Sequence, residues 1–318
     1  GRCLRQYPRQ SYYLASKFPG YDLSNMGKVQ EIFEEQLRRC GVEYFDFYLF
    51  HNVCEMNIEQ YLDPQYGIFD YLTQQKKAGR IRHLGLSIHG SIHVLERFLE
   101  AYGEAMEFCQ VQLNYLDWEF QDAREKVALL ERYHIPVWVM EPLRGGGLAS
   151  TPKDVAQLYE QFPVQRSAAE WAFRHVYNYP QVSCILSGVT TMEQLKDNIE
   201  IFSKKEAVPG CMTDEEKELL RKVKQAYERR VTIPCTGCEY CLPCPKGVAI
   251  PQIFQLYNQG MMFEAFDQPK RSYMFQRNAG HDQPNCVACG ACETKCPQHI
   301  EIIKQLKLAH SKLDGWYE

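Results

Sequence analysis

The chain has 318 residues, room for one large or two ordinary domains, with 45% hydrophobic and 24% charged residues, a balance that excludes wholesale disorder. The formal net charge is −4 with both signs interspersed, which argues against nucleic acid as the main partner. No apolar run approaches the ~20 residues of a membrane-spanning helix.

The opening GRCLRQYPRQ carries no apolar signal region. From there to about residue 203, short apolar runs rich in β-branched and aromatic residues alternate with helical stretches. The runs are SYYLASK (11–17), FDFYLFH (45–51), IRHLGLS (81–87), FCQVQLN (108–114), PVWVMEP (136–142) and SCILSG (183–188). The first helical stretch, VQEIFEEQLRRCG, places Ile32, Phe33, Gln36, Leu37 and Cys40 on one face and ends at Gly41. Others are expected from near Tyr66, Ser91, Gln121, Ser167 and Met192.

Runs too apolar to face water, each followed by a helix, predict a parallel sheet covered by helices. There is no GxGxxG turn, and the glycines of EPLRGGGLAS lack dinucleotide-turn spacing, so a (β/α)8 barrel is favoured over a doubly wound sheet. Such a barrel takes ~250 residues. Six strands in the first ~200 imply a barrel that lacks its first two strands; a shorter open α/β sheet is the alternative.

Residues 213–229 predict a helix with Thr213 as N-cap and acids in its first turn. After Val231 the composition turns to Cys, Pro and Gly, with short helical pieces in IPQIFQLYNQGMMFEAF and IEIIKQLKLAHSKL. A two-domain division follows, 1–230 and 231–318. The second is small enough to need staples such as metal clusters.

Of fourteen cysteines, eight lie between 235 and 296. The scattered six (Cys3, Cys40, Cys54, Cys109, Cys184, Cys211) are expected to be small buried hydrophobes. The clustered eight point to metal in a reducing compartment, hence a cytoplasmic location. Cys286, Cys289, Cys292 and Cys296, followed by Pro297, have the C-x2-C-x2-C-x3-C-P spacing of bacterial ferredoxins. Cys235, Cys238, Cys241 and Cys244, followed by Pro245, are one residue shorter before the fourth cysteine. In two-cluster ferredoxins the fourth cysteine serves the other cluster. Two 4Fe-4S clusters are therefore expected, one on Cys235, Cys238, Cys241 and Cys296, the other on Cys286, Cys289, Cys292 and Cys244. Gly237 and Gly290 would let the loops approach the sulfides. Zinc held by four cysteines per site is the alternative.

Polar residues at the C-terminal ends of barrel strands line active sites. Lys17 and His51 close two successive runs and are the candidate catalytic pair. YYLASKF, YFDFYLFH, IRHLGLS, QVQLNY and TTMEQLKDN, in that order over residues 1–203, resemble the aldo-keto reductases. With CLPCPKGVAIP at 241–251, the chain is similar to the branch with a ferredoxin-like tail. The resemblance implies hydride transfer between NAD or NADP and a small-molecule carbonyl. In that family a tyrosine is general acid, a lysine lowers its pKa, a histidine orients the carbonyl and an aspartate pairs with the lysine. Lys17 and His51 match by motif. The tyrosine and aspartate lie in the family ahead of the first residue here and have no counterpart; Tyr12 and Tyr13 are expected mid-strand as core or wall. The resemblance further places the cofactor against Ser87, Gln110, Met140, Gly188, Gln194 and Asn198. Met140 stands where a ring-stacking aromatic is usual, and His89 near a common asparagine. Arg144 could reach a phosphate. Loop 52–65 and the tail could cover the barrel mouth, or the tail could dock an external electron carrier. The alternative function is an electron-transfer or protein-binding iron–sulfur module on a non-catalytic barrel. Nicotinamide gives two electrons at once whereas a cluster takes one, so electron flow between the two parts is not implied.

Overall fold

The computed structural model describes residues 1–118 and 122–315. Six strands, β1 (Ala15–Phe18), β2 (Phe45–Val53), β3 (Ile81–Ile88), β4 (Cys109–Gln112), β5 (Val137–Met140) and β6 (Val182–Ile185), form one sheet in the order β1-β2-β3-β4-β5-β6. Every neighbouring pair is parallel. The helices are α1 (Val29–Cys40), α2 (Ile58–Leu62), α3 (Ile68–Lys77), α4 (Ile92–Tyr102), α5 (Ala123–Arg132), α6 (Lys153–Glu160), α7 (Ala168–Tyr177), α8 (Met192–Ser203), α9 (Asp214–Glu228), α10 (Ile250–Phe263), α11 (Asp267–Asn278) and α12 (Ile302–Leu313).

Each strand is added beside its predecessor, which is the winding of a barrel; a doubly wound sheet would reverse direction partway. The aromatic rings show the curl. Phe47 on β2 and Trp138 on β5 have centroids 4.6 Å apart, and Trp138 meets Phe108 at 4.3 Å. Strands three places apart in a flat sheet would be separated by about 14 Å. Their side chains meet only because the sheet bends round on itself.

Helix starts and stops follow local chemistry. Gly41 caps α1 at φ +69°, accepting the left-handed turn that a Cβ disfavours. Thr213 and Glu216 cap α9 reciprocally, as do Thr191 and Gln194 for α8. Gln36, a polar residue on the apolar face of α1, donates to the Lys17 carbonyl (2.9 Å) and accepts from Tyr48 Oη (2.8 Å).

The chain divides into two compact units, Gly1–Gly145 with Ala172–Met212, and Gly146–Trp171 with Thr213–Glu318. The first holds the sheet and a core that includes Phe18, Phe33, Phe50, Leu86, Phe98 and Val139. The second groups α6 and α9 with the cysteine segment, whereas sequence reasoning places α9 with the barrel. Within it, Arg230 bridges Asp154 (2.6 Å) and Glu264 (2.7 Å). Its tail has its own core of Ile250, Ile253, Phe254, Tyr257 and Leu306, against which six of the clustered cysteines pack.

Two expectations are corrected. The first run starts late: Arg9–Ser11 is a short 3-10 helix, β1 begins at Ala15, and Tyr13 is 81% exposed rather than core or wall. Arg9 lies over both the Tyr12 and Tyr44 rings, which draws this segment out of the sheet. Among the scattered cysteines only Cys54 and Cys109 are buried; Cys3 is exposed, and Cys40, Cys184 and Cys211 are partly so. The helix expected near Gln121 is α5, described from Ala123; Gln121 itself lies outside the described residues. Among the described residues no helix is long and apolar enough to cross a membrane.

Candidate functional site

Lys17 and His51 stand at the C-terminal ends of adjacent parallel strands, where Lys17 pairs with Leu49. Burial lowers the Lys17 pKa. Burial, then the charge of Lys17, then His89, push His51 down to about 4. His89, just past β3, is also lowered, by burial and then by Lys17 and Lys126. Lys17, His51 and His89 thus share one electrostatic neighbourhood at the sheet's C-terminal edge, with both imidazoles neutral at pH 7. A neutral imidazole can donate to a carbonyl oxygen without delivering its proton early.

The His51 segment is not regular strand. The β2–β3 register shifts between Phe50 and Val53, and Asn52 has φ +57°. Asparagine tolerates this left-handed conformation better than most residues. The bulge frees the Asn52 N–H from the ladder, and it donates instead to Ser87 Oγ (3.2 Å). Tyr61 Oη donates to the His51 carbonyl (2.8 Å), and Asn57 Nδ2 to the Asn52 carbonyl (2.8 Å). The Tyr21 ring stands edge-on to His51 with centroids 5.3 Å apart.

Ser87 and Gln110 are register partners on β3 and β4, and both are buried. Gln110 Nε2 points at Met140 Sδ (3.1 Å), a weak acceptor that a carboxamide oxygen would readily replace. Ser87 accepts through Oγ and keeps its hydroxyl hydrogen to donate. This pair fits an amide-bearing ligand such as a nicotinamide. Met140 is thus beside the pair, whereas no hydrogen bond among the described residues ties Gly188, Gln194 or Asn198 to it. Asn198 Nδ2 donates to Ser187 Oγ (2.8 Å), Gln194 Oε1 accepts from the Thr190 N–H (2.8 Å), and Gly188 is exposed with open space around it. Arg144 pairs with the buried Asp117 at 3.5 Å.

The His51 value carries a pH prediction. The unfolded imidazole takes its proton near 6.5 and the folded one near 4. Between those values the unfolded chain holds more protons, so stability rises with pH there and is lost as pH falls. Acid titration should destabilise the chain from about pH 6.5 downwards, and His51→Gln should flatten that part of the denaturation profile.

In the tail, Cys235, Cys238, Cys241 and Cys296 line one cavity. Cys244, Cys286, Cys289 and Cys292 line a second. Ile250 borders both. The fourth cysteine of each run therefore faces the cavity of the other. The two loops share a backbone pattern: Gly237 and Glu239 have φ of +69° and +62°, Ala288 and Gly290 of +54° and +76°. Each triplet reads Cys, any residue, left-handed, Cys, left-handed, any residue, Cys. That repeated reversal wraps a loop around one centre. Gly237 and Gly290 serve this dihedral need, since no protein atom lies within 4 Å of an added Cβ.

Eight thiols around two cavities suit iron–sulfur clusters. Among the described residues no three His, Cys, Asp or Glu side chains converge closely enough to hold a single metal ion. Burial raises the Cys241 pKa to about 11 and also raises Cys235 and Cys292, so ligation must displace these protons.

The chain belongs to the aldo/keto reductase family, whose model matches residues 1–208, and residues 234–301 match the 4Fe-4S dicluster domain. The NADH-specific methylglyoxal reductase of Escherichia coli (strain K12) is 24% identical over 227 residues, 63% of this chain and 65% of that protein. An uncharacterized oxidoreductase of Bacillus subtilis (strain 168) is 22% identical over 193 residues, 54% of this chain and 59% of that one. The chain thus spans less than two-thirds of the length of these curated relatives. Among solved structures, an aldo-keto reductase from Bacillus halodurans in its holo form aligns with TM-score 0.53 at 24% identity, over 68% of this chain and 73% of that one. An aldo-keto reductase from Klebsiella pneumoniae in complex with NADPH aligns with TM-score 0.53 at 19% identity, over 68% and 71%. The structural alignments show that the two solved structures share the barrel fold.

Sequence reasoning missed Tyr21, Asn52, Asn57 and Tyr61. Only Asn52 left a signal: an asparagine directly after the strand-end histidine, a residue type suited to a left-handed kink.

Proposed function

We propose that this chain is the barrel and tail of a nicotinamide-dependent oxidoreductase acting on a small carbonyl compound, with two 4Fe-4S clusters in residues 231–318 and the reductase site in residues 1–230. The observation that carries the reading is Lys17 beside a neutral His51 at adjacent strand ends.

When bound, the nicotinamide supplies or accepts the hydride. Ser87 and Gln110 hold its carboxamide, with Met140 packing nearby. His51 orients the carbonyl oxygen and donates a hydrogen bond to it. Lys17 places a positive charge where negative charge develops on that oxygen. Gly188, Gln194 and Asn198 lie towards the dinucleotide's other end. The family's proton-donating tyrosine, and the aspartate that pairs with its lysine, have no counterpart among the residues assigned here. In the tail, Cys235, Cys238, Cys241 and Cys296 hold one cluster and Cys244, Cys286, Cys289 and Cys292 the other. Clusters held there would supply one-electron transfer, for which an external carrier would be a natural partner. So many free thiols suit a reducing, cytoplasmic setting.

The test has two parts. Protein purified without oxygen is analysed for iron, acid-labile sulfide and zinc; about eight irons and eight sulfides per chain are expected. Zinc without sulfide would overturn the iron–sulfur reading. NADH and NADPH oxidation is then followed with a dicarbonyl such as methylglyoxal, chosen because one relative reduces it. Nicotinamide binding with turnover supports the reductase. No nicotinamide binding would leave an electron-transfer module on a non-catalytic barrel.

A further inference from the structure

Lys17 and His51 lie on adjacent paired strands, and the segments that follow them, Gly20–Tyr21 and Asn52–Asn57, are tied to each other as well. Tyr21 sits four residues beyond Lys17, next to Gly20. It is 56% exposed, yet its ring meets His51 edge-on at an interplanar angle of 86°. The loop around it is fixed from below. Asn57, fully buried, donates through Nδ2 to the Gly20 carbonyl (2.9 Å) and to the Asn52 carbonyl (2.8 Å), while its Oδ1 accepts from the Cys54 N–H (2.9 Å). Tyr61, also buried, donates to the His51 carbonyl. An added Cβ at Gly20 would lie 1.9 Å from Tyr61 Oη, so the Lys17 loop passes directly over the same hydroxyl that holds His51.

We infer that Asn57 and Tyr61 form a clamp that joins the Lys17–Tyr21 loop to the His51 bulge and so fixes the Tyr21–His51 pair over the reacting position. Both are positioning residues: neither faces the open side, and each acts through backbone carbonyls. The clamp also accounts for the left-handed Asn52. Its carbonyl is turned to Asn57 and its N–H to Ser87, so one kinked residue ties the clamp to the Ser87 side. With two buried donors satisfied by carbonyls from two loops, parting the loops would leave buried polar groups unpaired. The loops therefore move as one body, with Tyr21 forming a wall beside the imidazole.

The inference rests on the proposed roles of Lys17 and His51, and its test separates the two. Asn57→Asp keeps an acceptor for the Cys54 N–H but removes both donors and sets a carboxylate against two carbonyl oxygens. Tyr61→Phe removes one hydroxyl and keeps the ring. Each is made in the full chain, and the His51 titration and the Tyr21–His51 ring contact are followed by NMR. In both variants the His51 midpoint should rise as the imidazole gains water, and the ring contact should weaken. Turnover should fall about tenfold or more with the KM for nicotinamide little changed, which a general loss of stability would not produce. If Asn57→Asp does not fold, Tyr61→Phe decides alone. An unchanged His51 midpoint and unchanged ring contact in the folded variants would overturn the clamp. A wild-type chain that binds no nicotinamide would instead sink the reductase reading, and the NMR result would stand by itself.

Discussion

Cys296→Ala is expected to remove one of two clusters, and the one removed should be that of the first cysteine run, more than fifty residues away in sequence. Iron and sulfide should fall from about eight to about four per chain. The reason is the cavity lining: Cys296 faces Cys235, Cys238 and Cys241, not its own triplet. Double variants make this decisive. Cys235→Ala with Cys296→Ala should lose no more iron than either alone, since both strip the same cluster. Cys286→Ala with Cys296→Ala should lose nearly all of it. If each run instead closed on itself, those two results would be interchanged. The unit should also weaken, because its core is small and Cys235, Cys241 and Cys296 pack against it. Ile250 borders both cavities, so emptying one withdraws packing from the wall of the other.

The grouping of the cysteines around two cavities was legible because most of each group is local. Three cysteines on one loop announce themselves by spacing, and the fourth by its trailing proline. The strand ends were legible for a similar reason: an ionisable residue closing an apolar run marks where a buried strand meets the barrel mouth. What was hidden depends on contacts distant in sequence. Asn57 sits in an unremarkable loop, and its partners are carbonyls of Gly20 and Asn52, groups every residue has. No side-chain pattern encodes such a bond. The late start of β1 was hidden because Tyr12 and Tyr13 look like strand residues. Arg9, held by Asp46 at 2.6 Å and lying over Tyr44, decides where that segment goes. Helix α11 was missed because little of it is apolar; Pro269 and Tyr273 are its buried residues, and Tyr273 is held by His310 Nδ1 at 2.8 Å.

Lys17→Met is the second large effect expected, seen in turnover rather than in composition. Methionine keeps the length and apolar stem of lysine and loses only the ammonium, so the half-buried site stays filled. In a protein that also carries the family's tyrosine and aspartate, turnover should drop by about 10²–10⁴-fold, the range for removing a group that assists proton transfer. A second readout follows from the same charge. Lys17 is one of the causes that hold His51 down, after burial. Removing that cation makes the imidazolium easier to form, so the His51 midpoint should move up towards its ordinary value. The acid limb of the rate profile should move up with it, because His51 must stay neutral to donate to the carbonyl without giving up its proton. Fall in rate and rise in midpoint are one prediction, since both come from one positive charge beside one imidazole. A fall in rate with an unmoved His51 would mean that Lys17 acts elsewhere than at the shared site. Unchanged turnover in an active chain would take Lys17 out of the chemistry, and the strand-end pair would then be a structural rim.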